Sequence, residues 1–179
     1  TRKGDRGRTS TLSGGTVSKA DERIRALGGL DEVNAALGVV LAGPVPAELL
    51  APLAHVQHML FEAGAALAGP AEKIQASFFQ DDVTWIEERI DAADAGLPPL
   101  TRFILPGGSP AAAGLHWART VLRRTETQVV AALGPPAGES PGALTLLAWL
   151  NRLSDALFTW ARVANRAAGL EDVYWNRGG

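Results

Sequence analysis

Two Ser-Pro pairs, Ser109-Pro110 and Ser140-Pro141, each stand directly before a long stretch in which apolar residues recur every three or four positions. A serine hydroxyl accepts from the free amide protons of a first helical turn, and proline at the first helical position forfeits no hydrogen bond. The pairs therefore mark two helix starts, and Gly134-Pro135-Pro136 marks the end of the first of these helices. Leu115, Leu122 and Val129 form the stripe of one helix. Leu146, Leu150, Leu153, Leu157 and Ala161 or Ala164 form that of the other, which is expected to run to about Ala168. Three earlier segments show the same period. One is expected from Leu30 to Leu41 after a Gly28-Gly29 break, with Asp31, Asn34 and Gly38 on a polar line beside Leu30, Val33, Leu37, Val40 and Leu41. Another is expected from Pro46 to about Ala68, carrying Leu49, Leu53, Val56, Leu60 and Leu67 on one face. The third is expected from about Gln80 to Ala95, with Val83, Ile86 and Ile90 inward and Asp82, Glu87, Glu88, Asp91 and Asp94 as a solvated face. No segment sustains the alternation of a strand. The fold class expected is all-α, a five-helix bundle.

A chain of 179 residues with 46% hydrophobic residues buries a substantial core and is expected as a single domain over 1–179. Its net charge of −2 provides no field for nucleic acid or an anionic membrane. The absence of cysteine excludes disulfides, thiolate catalysis and cysteine-based zinc sites. No apolar run reaches membrane-spanning length, so the expectation is a soluble cytoplasmic protein. Residue 1 is a threonine, and further sequence upstream is expected. His55 and His58 share a helix face with Glu62 a turn beyond, but H-E-x-x-H is missing and His116 stands on a distant helix. The histidines are read as packing or capping groups, with no metal site. Trp85, Trp117, Trp149, Trp160 and Trp175 are expected mostly as core or interface anchors.

Charge is distributed unevenly. Residues 1–25 carry seven Lys/Arg against three Asp/Glu, and 71–100 carry two against seven. The segment 1–18 has no hydrophobic period and is rich in Gly, Ser and Thr, so an extended or looped conformation is expected. In TRKGDRGRTST, Gly4 and Gly7 allow close backbone approach, Thr9 and Ser10 offer hydroxyls, and Arg2, Lys3, Arg6 and Arg8 supply charge. That is the chemistry of a phosphate cradle, though not a P-loop, and a flexible basic tail has the same composition. On the helix after Ser109, Arg119 and Glu126 share the angular sector of the apolar stripe, with Arg123 at its edge. Such a ladder either orients a polyanion or forms an ion-pair network between helices. Asn151, Asp155, Phe158 and Arg162 make a second ridge, open to three readings: binding wall, subunit contact or solvated flank.

Four separated stretches resemble one family in the same order. They are TRKGDRGRTST (1–11) with Lys19, GGLDEVNAALG (28–38), FILPGGS (103–109) continuing into HWARTVLRRTE (116–126), and LNRLSDALFTWAR (150–162). Together with a terminal EDVYW (171–175), they resemble the PduO-type ATP:cob(I)alamin adenosyltransferases across nearly the whole chain. The resemblance implies a ferritin-like up-and-down bundle core over 28–169, a nucleotide-binding loop at 1–18 and a C-terminal tail at 170–179. It implies a homotrimer with active sites between adjacent subunits and transfer of the 5′-deoxyadenosyl group of ATP to cob(I)alamin, releasing triphosphate. ATP, with Mg²⁺ expected on its phosphates, would be held by Thr1, Arg2, Lys3, Gly4, Thr9, Ser10, Lys19, Arg123, Arg124, Glu126 and Asn151. Asp31 and Arg119 match positions that pair across the subunit interface, and Phe103 matches the aromatic residue that displaces the lower axial ligand of the corrin. A flavoprotein reductase and an adenosylcobalamin-dependent mutase or dehydratase are the implied partners. One position departs from the family pattern: RRTET (123–127) stands where the family reads RRAER, so Thr127 replaces an arginine, leaving Arg8 or Lys3 as substitutes. A non-catalytic ATP or adenosylcobalamin delivery protein of the same fold, and an unrelated helical oligomer, are the alternatives.

Overall fold

The computed structural model describes residues 4–10, 15–135 and 139–177. A two-stranded antiparallel hairpin, β1 (Arg8–Ser10) and β2 (Thr16–Ser18), precedes five helices: α1 (Glu22–Leu41), α2 (Ala47–Ala68), α3 (Ala76–Asp94), α4 (Pro110–Leu133) and α5 (Pro141–Ala167). The expected all-α bundle is present. The hairpin is the one piece of strand among the described residues, and it falls within the segment expected to be extended or looped.

Helix α4 packs on α1 and α5, α5 on α3, and α1 on α2. Leu37, Leu53, Leu60, Leu115, Leu122, Leu146, Leu150, Trp149 and Trp160 are all at most 2% exposed where these faces meet. Both serine caps form as the sequence indicates. Ser109 Oγ accepts from Ala112 N–H at 3.2 Å and Ser140 Oγ from Ala143 N–H at 3.3 Å. Gly134, at φ 57°, closes α4.

Two boundaries differ from the sequence reading. Helix α1 begins at Glu22, capped by Asp21 Oδ1 accepting from Arg23 N–H at 2.9 Å, and runs straight through Gly28-Gly29. The glycines read as a break are a contact instead: a Cβ on buried Gly29 would lie 2.5 Å from Gln128 Oε1 and 2.7 Å from Thr125 Oγ1. Here the lack of a side chain lets α1 and α4 approach closely. Helix α3 likewise starts at Ala76, earlier than Gln80.

Asp82 corrects a third expectation. It is 7% exposed, not solvated. Its Oδ1 lies 2.5 Å from His55 Nε2, and its Oδ2 accepts from Trp149 Nε1–H. One carboxylate thereby joins α2, α3 and α5, and the two donors offset its removal from water. Asn34 and Gln57 join α1 to α2 by each donating a side-chain N–H to the other's backbone carbonyl, at 3.0 and 3.1 Å.

Gly142 shows how little slack this packing leaves, because a Cβ there would sit 1.9 Å from the carbonyl oxygen of Ile74. Overpacking against backbone costs about 1–3 kcal/mol, with so close an approach at the upper end, against roughly 1 kcal/mol that alanine gains over glycine within a helix. Gly142→Ala is therefore expected to lower the urea midpoint; an unchanged or raised midpoint would show that the first turn of α5 moves freely.

Candidate active site

Between α3 and α4 the chain has no regular structure, so its backbone polar groups need partners elsewhere. They find them on α5 and on the C-terminal segment. Asn165, 4% exposed, accepts from Ser109 N–H at 2.8 Å and donates Nδ2–H to the Gly107 carbonyl at 3.1 Å. Gly108 lies between these bonds at φ 101°, and a Cβ there would come within 2.1 Å of Asn165 Oδ1. The turn needs glycine for both reasons. Upstream, Leu105 N–H donates to the Val173 carbonyl at 2.7 Å and Trp175 N–H to the Phe103 carbonyl at 2.8 Å. This places Ile104 opposite Tyr174 in an isolated antiparallel bridge. Arg102 lies 4.6 Å from the Tyr174 ring centroid and donates to Asn176 Oδ1 at 3.0 Å. Strand-like alternation turns Ile104 inward and leaves the Phe103 ring 80% exposed.

That ring borders a cleft of about 960 Å³ shared with Arg119, Asp155, Phe158 and Trp175, a size suited to a large ligand. Three aromatic faces and the arginines Arg102, Arg119 and Arg177 line it. Arg119 is half-buried, with its guanidinium 5.5 Å from the Phe158 centroid. Its pKa is lowered, first by burial and then by the neighbouring Arg123, with Asp155 opposing. A guanidinium stays charged regardless, so the cleft holds a poorly compensated cation. His116, 4% exposed, packs edge-on to Phe158 at 5.9 Å, and its Nε2 has no hydrogen-bond partner. Burial, reinforced by Arg119, holds its pKa below the ordinary value of 6.5, while Asp172 acts in the opposite sense. His116 is therefore neutral at neutral pH.

Elsewhere on α4 the ladder spreads out. Glu126 is half-buried and Arg123 exposed, while Arg124 forms a 2.5 Å ion pair with Glu32 of α1. Thr127 donates its hydroxyl to the Arg124 carbonyl at 2.7 Å, turned onto its own helix. Asn151 is exposed and accepts from Arg152 at 2.8 Å.

The N-terminal candidates form a separate group. Lys19 N–H donates to the Gly7 carbonyl at 2.8 Å, and a Cβ on Gly4 would stand 3.2 Å from Lys19 Nζ. The hairpin thus brings Gly4 and Lys19 together, with Thr9 half-buried. Arg8 spends its guanidinium on the Thr16 carbonyl at 2.7 Å. Ser10 and Asp31 line a groove of about 360 Å³ with Arg23, Leu27 and Phe61. Thr1, Arg2 and Lys3 lie outside the described residues. A single chain therefore brings Phe103 to Arg119 and Ser10 to Asp31, but Asp31 and Arg119 border different cavities. Among the described residues no three His, Asp or Glu side chains converge as metal ligands.

The ridge on α5 resolves into distinct roles. Asp155 and Phe158 border the cleft, whereas Arg162 is 3% exposed and bonded to Asp172. Sequence spacing did not single out Asn165. Its signal was indirect: a Gly-Gly turn before a serine cap needs an external partner for its backbone.

Residues 1–164 match the family model described as cobalamin adenosyltransferase. The chain is 41% identical over 181 residues to the corrinoid adenosyltransferase of Bacillus subtilis (strain 168), covering 99% of this chain and 91% of that one. It is 42% identical over 185 residues to the corrinoid adenosyltransferase of Mycobacterium tuberculosis (strain ATCC 25618 / H37Rv), covering 100% and 93%. A variant PduO-type ATP:corrinoid adenosyltransferase from Lactobacillus reuteri, solved in complex with cobalamin and ATP, superposes with a TM-score of 0.87. That similarity is at 32% identity over 99% of this chain and 98% of that one.

The depressed pKa of His116 sets a pH dependence of stability. Above 6.5 the ring is neutral in both folded and unfolded chains, and its contribution is fully present. As pH falls below that value the unfolded chain binds the proton more readily, so stability is lost down to the folded pKa. Urea midpoints measured from about pH 7.5 to about pH 5 are expected to fall less steeply in His116→Gln than in the parent; parallel curves would show that the ring protonates freely in the fold.

Proposed function

This chain belongs to the cobalamin adenosyltransferase family, and from that premise we propose that the cleft around Phe103 is where it carries out the transfer. The protein is an ATP:cob(I)alamin adenosyltransferase: it moves the 5′-deoxyadenosyl group of ATP onto the cobalt of reduced cobalamin. The cobalt lone pair forms the bond to C5′, the C5′–O5′ bond breaks, and its electrons leave with triphosphate. The metal of the substrate is itself the nucleophile, so no protein base has to generate one. What remains for the protein is to orient two large substrates, exclude water and stabilise a departing polyanion.

The observation that carries this reading is Phe103, exposed and held by backbone hydrogen bonds at the edge of a cleft large enough for a macrocycle. A ring in that position fills the space below the corrin, leaving no room for the lower axial ligand or for water. Arg123, Arg124 and Glu126 of α4 face the phosphates. Gly4, Thr9, Ser10 and Lys19 of the hairpin segment close over ATP, joined by Thr1, Arg2, Lys3 and Asn151. Any Mg²⁺ rides on the triphosphate oxygens and shields their charge.

Asp31 and Arg119 make no ion pair among the described residues, and Val39, Trp117 and Val130 leave large apolar surface on α1 and α4. Both features support a homotrimer in which Asp31 of one subunit meets Arg119 of the next and each site is shared. No helix of the described residues is long and apolar enough to cross a membrane. A cytoplasmic site fits, where a flavoprotein reductase supplies cob(I)alamin and a mutase or dehydratase takes the product. Turnover separates this enzyme from a delivery protein that only binds.

Mixed anaerobically with ATP and chemically reduced cobalamin, the protein is expected to yield the adenosylcobalamin spectrum and one triphosphate per adenosyl group; a flat trace with ATP bound would leave only a carrier. Phe103→Ala is expected to retain ATP affinity and lose most turnover, and normal turnover would remove the ring from the mechanism. Arg123→Ala is expected to weaken ATP binding about tenfold to a hundredfold, the range for a lost charge-assisted hydrogen bond, by calorimetric titration. Unaltered affinity would place the phosphates elsewhere.

A further inference from the structure

We propose that Arg162 is a positioning residue of the transfer reaction: its buried guanidinium clamps the start of the α3–α4 loop to the C-terminal segment and so fixes where Phe103 stands. The inference rests on the reading of the Phe103 cleft given above. Arg162 is 3% exposed, although arginine is seldom buried without full pairing. Its Nε–H donates to Asp172 Oδ2 at 2.7 Å and its Nη2–H to the Pro98 carbonyl at 2.6 Å, while Nη1 lies 4.0 Å from Asp94 Oδ1. Three nitrogens of one planar fork are directed at three separate pieces of chain.

Two of those pieces mount Phe103. Pro98 lies upstream of it in the same loop. Asp172 opens the segment whose Val173 carbonyl accepts from Leu105 N–H and whose Trp175 N–H donates to the Phe103 carbonyl. Arg162 does not border the Phe103 cleft, so its influence on the reaction must pass through these neighbours. A shift of about 1 Å in a group that has to fit beneath a macrocycle is enough to cost a hundredfold in rate. The backbone bridge of Ile104 and Tyr174 is a single isolated pair, too short to fix the segment alone. The ion pair at its root supplies the missing rigidity.

Asp172→Asn tests this directly. It keeps the size of the side chain and an acceptor oxygen but removes the charge, and Asp172 lies outside the five helices, so the bundle still folds. The expected result is a kcat lower by about tenfold to a hundredfold with KM for ATP changed less than about twofold. A smaller fraction of bound cob(II)alamin should lack its lower axial ligand, read from its absorption spectrum in the presence of ATP. Amide hydrogen exchange across 103–105 and 173–175 should quicken. Arg162→Lys, which keeps the charge but not the fork, should behave the same way. Quickened exchange with kcat unchanged would overturn the proposal, because the clamp would then be structural only; so would unchanged exchange, because something else would then hold the segment. Should Arg162→Lys fail to fold, Asp172→Asn decides alone. Absence of turnover in the parent protein would instead sink the adenosyltransfer reading, and the exchange measurement would still show whether Arg162 holds the segment.

Discussion

An aromatic ring that must stand exposed at the mouth of a cleft cannot be held by packing, because packing is what buries a ring. Its place has to come from the backbone that carries it, and a backbone without regular structure is only as fixed as its hydrogen bonds. In this protein those bonds run to the C-terminal segment and to the last turns of α5. Asn165 binds the Gly107 carbonyl and the Ser109 N–H, and Arg162 holds Pro98 and Asp172. Both side chains are nearly inaccessible to water, and a hydrogen bond is stronger where no water competes for its partners. The post itself is stiff. Trp149 and Trp160 of α5 are buried, and Asp82 bonds Trp149 to His55 across three helices. Rigidity thus runs from the core of the bundle, along α5, into an otherwise shapeless loop.

Much of the scaffold was legible in the sequence because it depends on local chemistry. Ser109-Pro110 and Ser140-Pro141 state where α4 and α5 begin, and the leucine stripes of α2, α4 and α5 all point inward as their spacing requires. Three misreadings share one cause, which is that the deciding partner lies far along the chain. Gly28-Gly29 reads as a breaker, but Gly29 exists to admit Thr125 and Gln128. Asp82 sits in an acidic run and reads as solvated, yet its partners are His55 and Trp149. Arg162 falls at helical spacing after Phe158, as if part of one ridge. The two residues diverge because one faces the cleft and the other the root of the C-terminal segment. The Phe103–Arg119 cleft itself was not derivable from spacing. It needs an unstructured loop, two helices and the C-terminal segment to meet, and only the family resemblance put Phe103 forward.

The electrostatics of the cleft follow from the chemistry proposed for it. When the substrate is the nucleophile, a protonatable base near the reacting atoms serves no purpose and admits water. The buried titratable ring next to Phe158 is His116, which burial and Arg119 keep uncharged. The charge instead resides on arginines, which do not titrate at any working pH. Arg119 is held partly desolvated, and the neighbouring Arg123 adds to the cost of its charge. In the proposed site the arginines of α4 favour the most highly charged species within reach, and triphosphate gains charge as it departs. Attraction of that kind grows along the reaction coordinate, and only interactions stronger in the transition state than in the ground state accelerate the step.

Thr127 sharpens this last point. Its hydroxyl returns to the Arg124 carbonyl, so α4 offers no cation at 127, and Arg8 is turned to the Thr16 carbonyl within its own hairpin. On α4, the proposed phosphate role then falls to Arg123 and Arg124. Arg124 is paired with Glu32, but both partners are about half exposed, and an ion pair in that setting is worth roughly 0–1 kcal/mol. A polyphosphate with several charges outcompetes one solvated carboxylate for the same guanidinium. The Arg124–Glu32 pair is therefore no obstacle to a phosphate role. In the proposed site Glu32 orients the guanidinium, and a pair this exposed opens to a bound nucleotide at little expense.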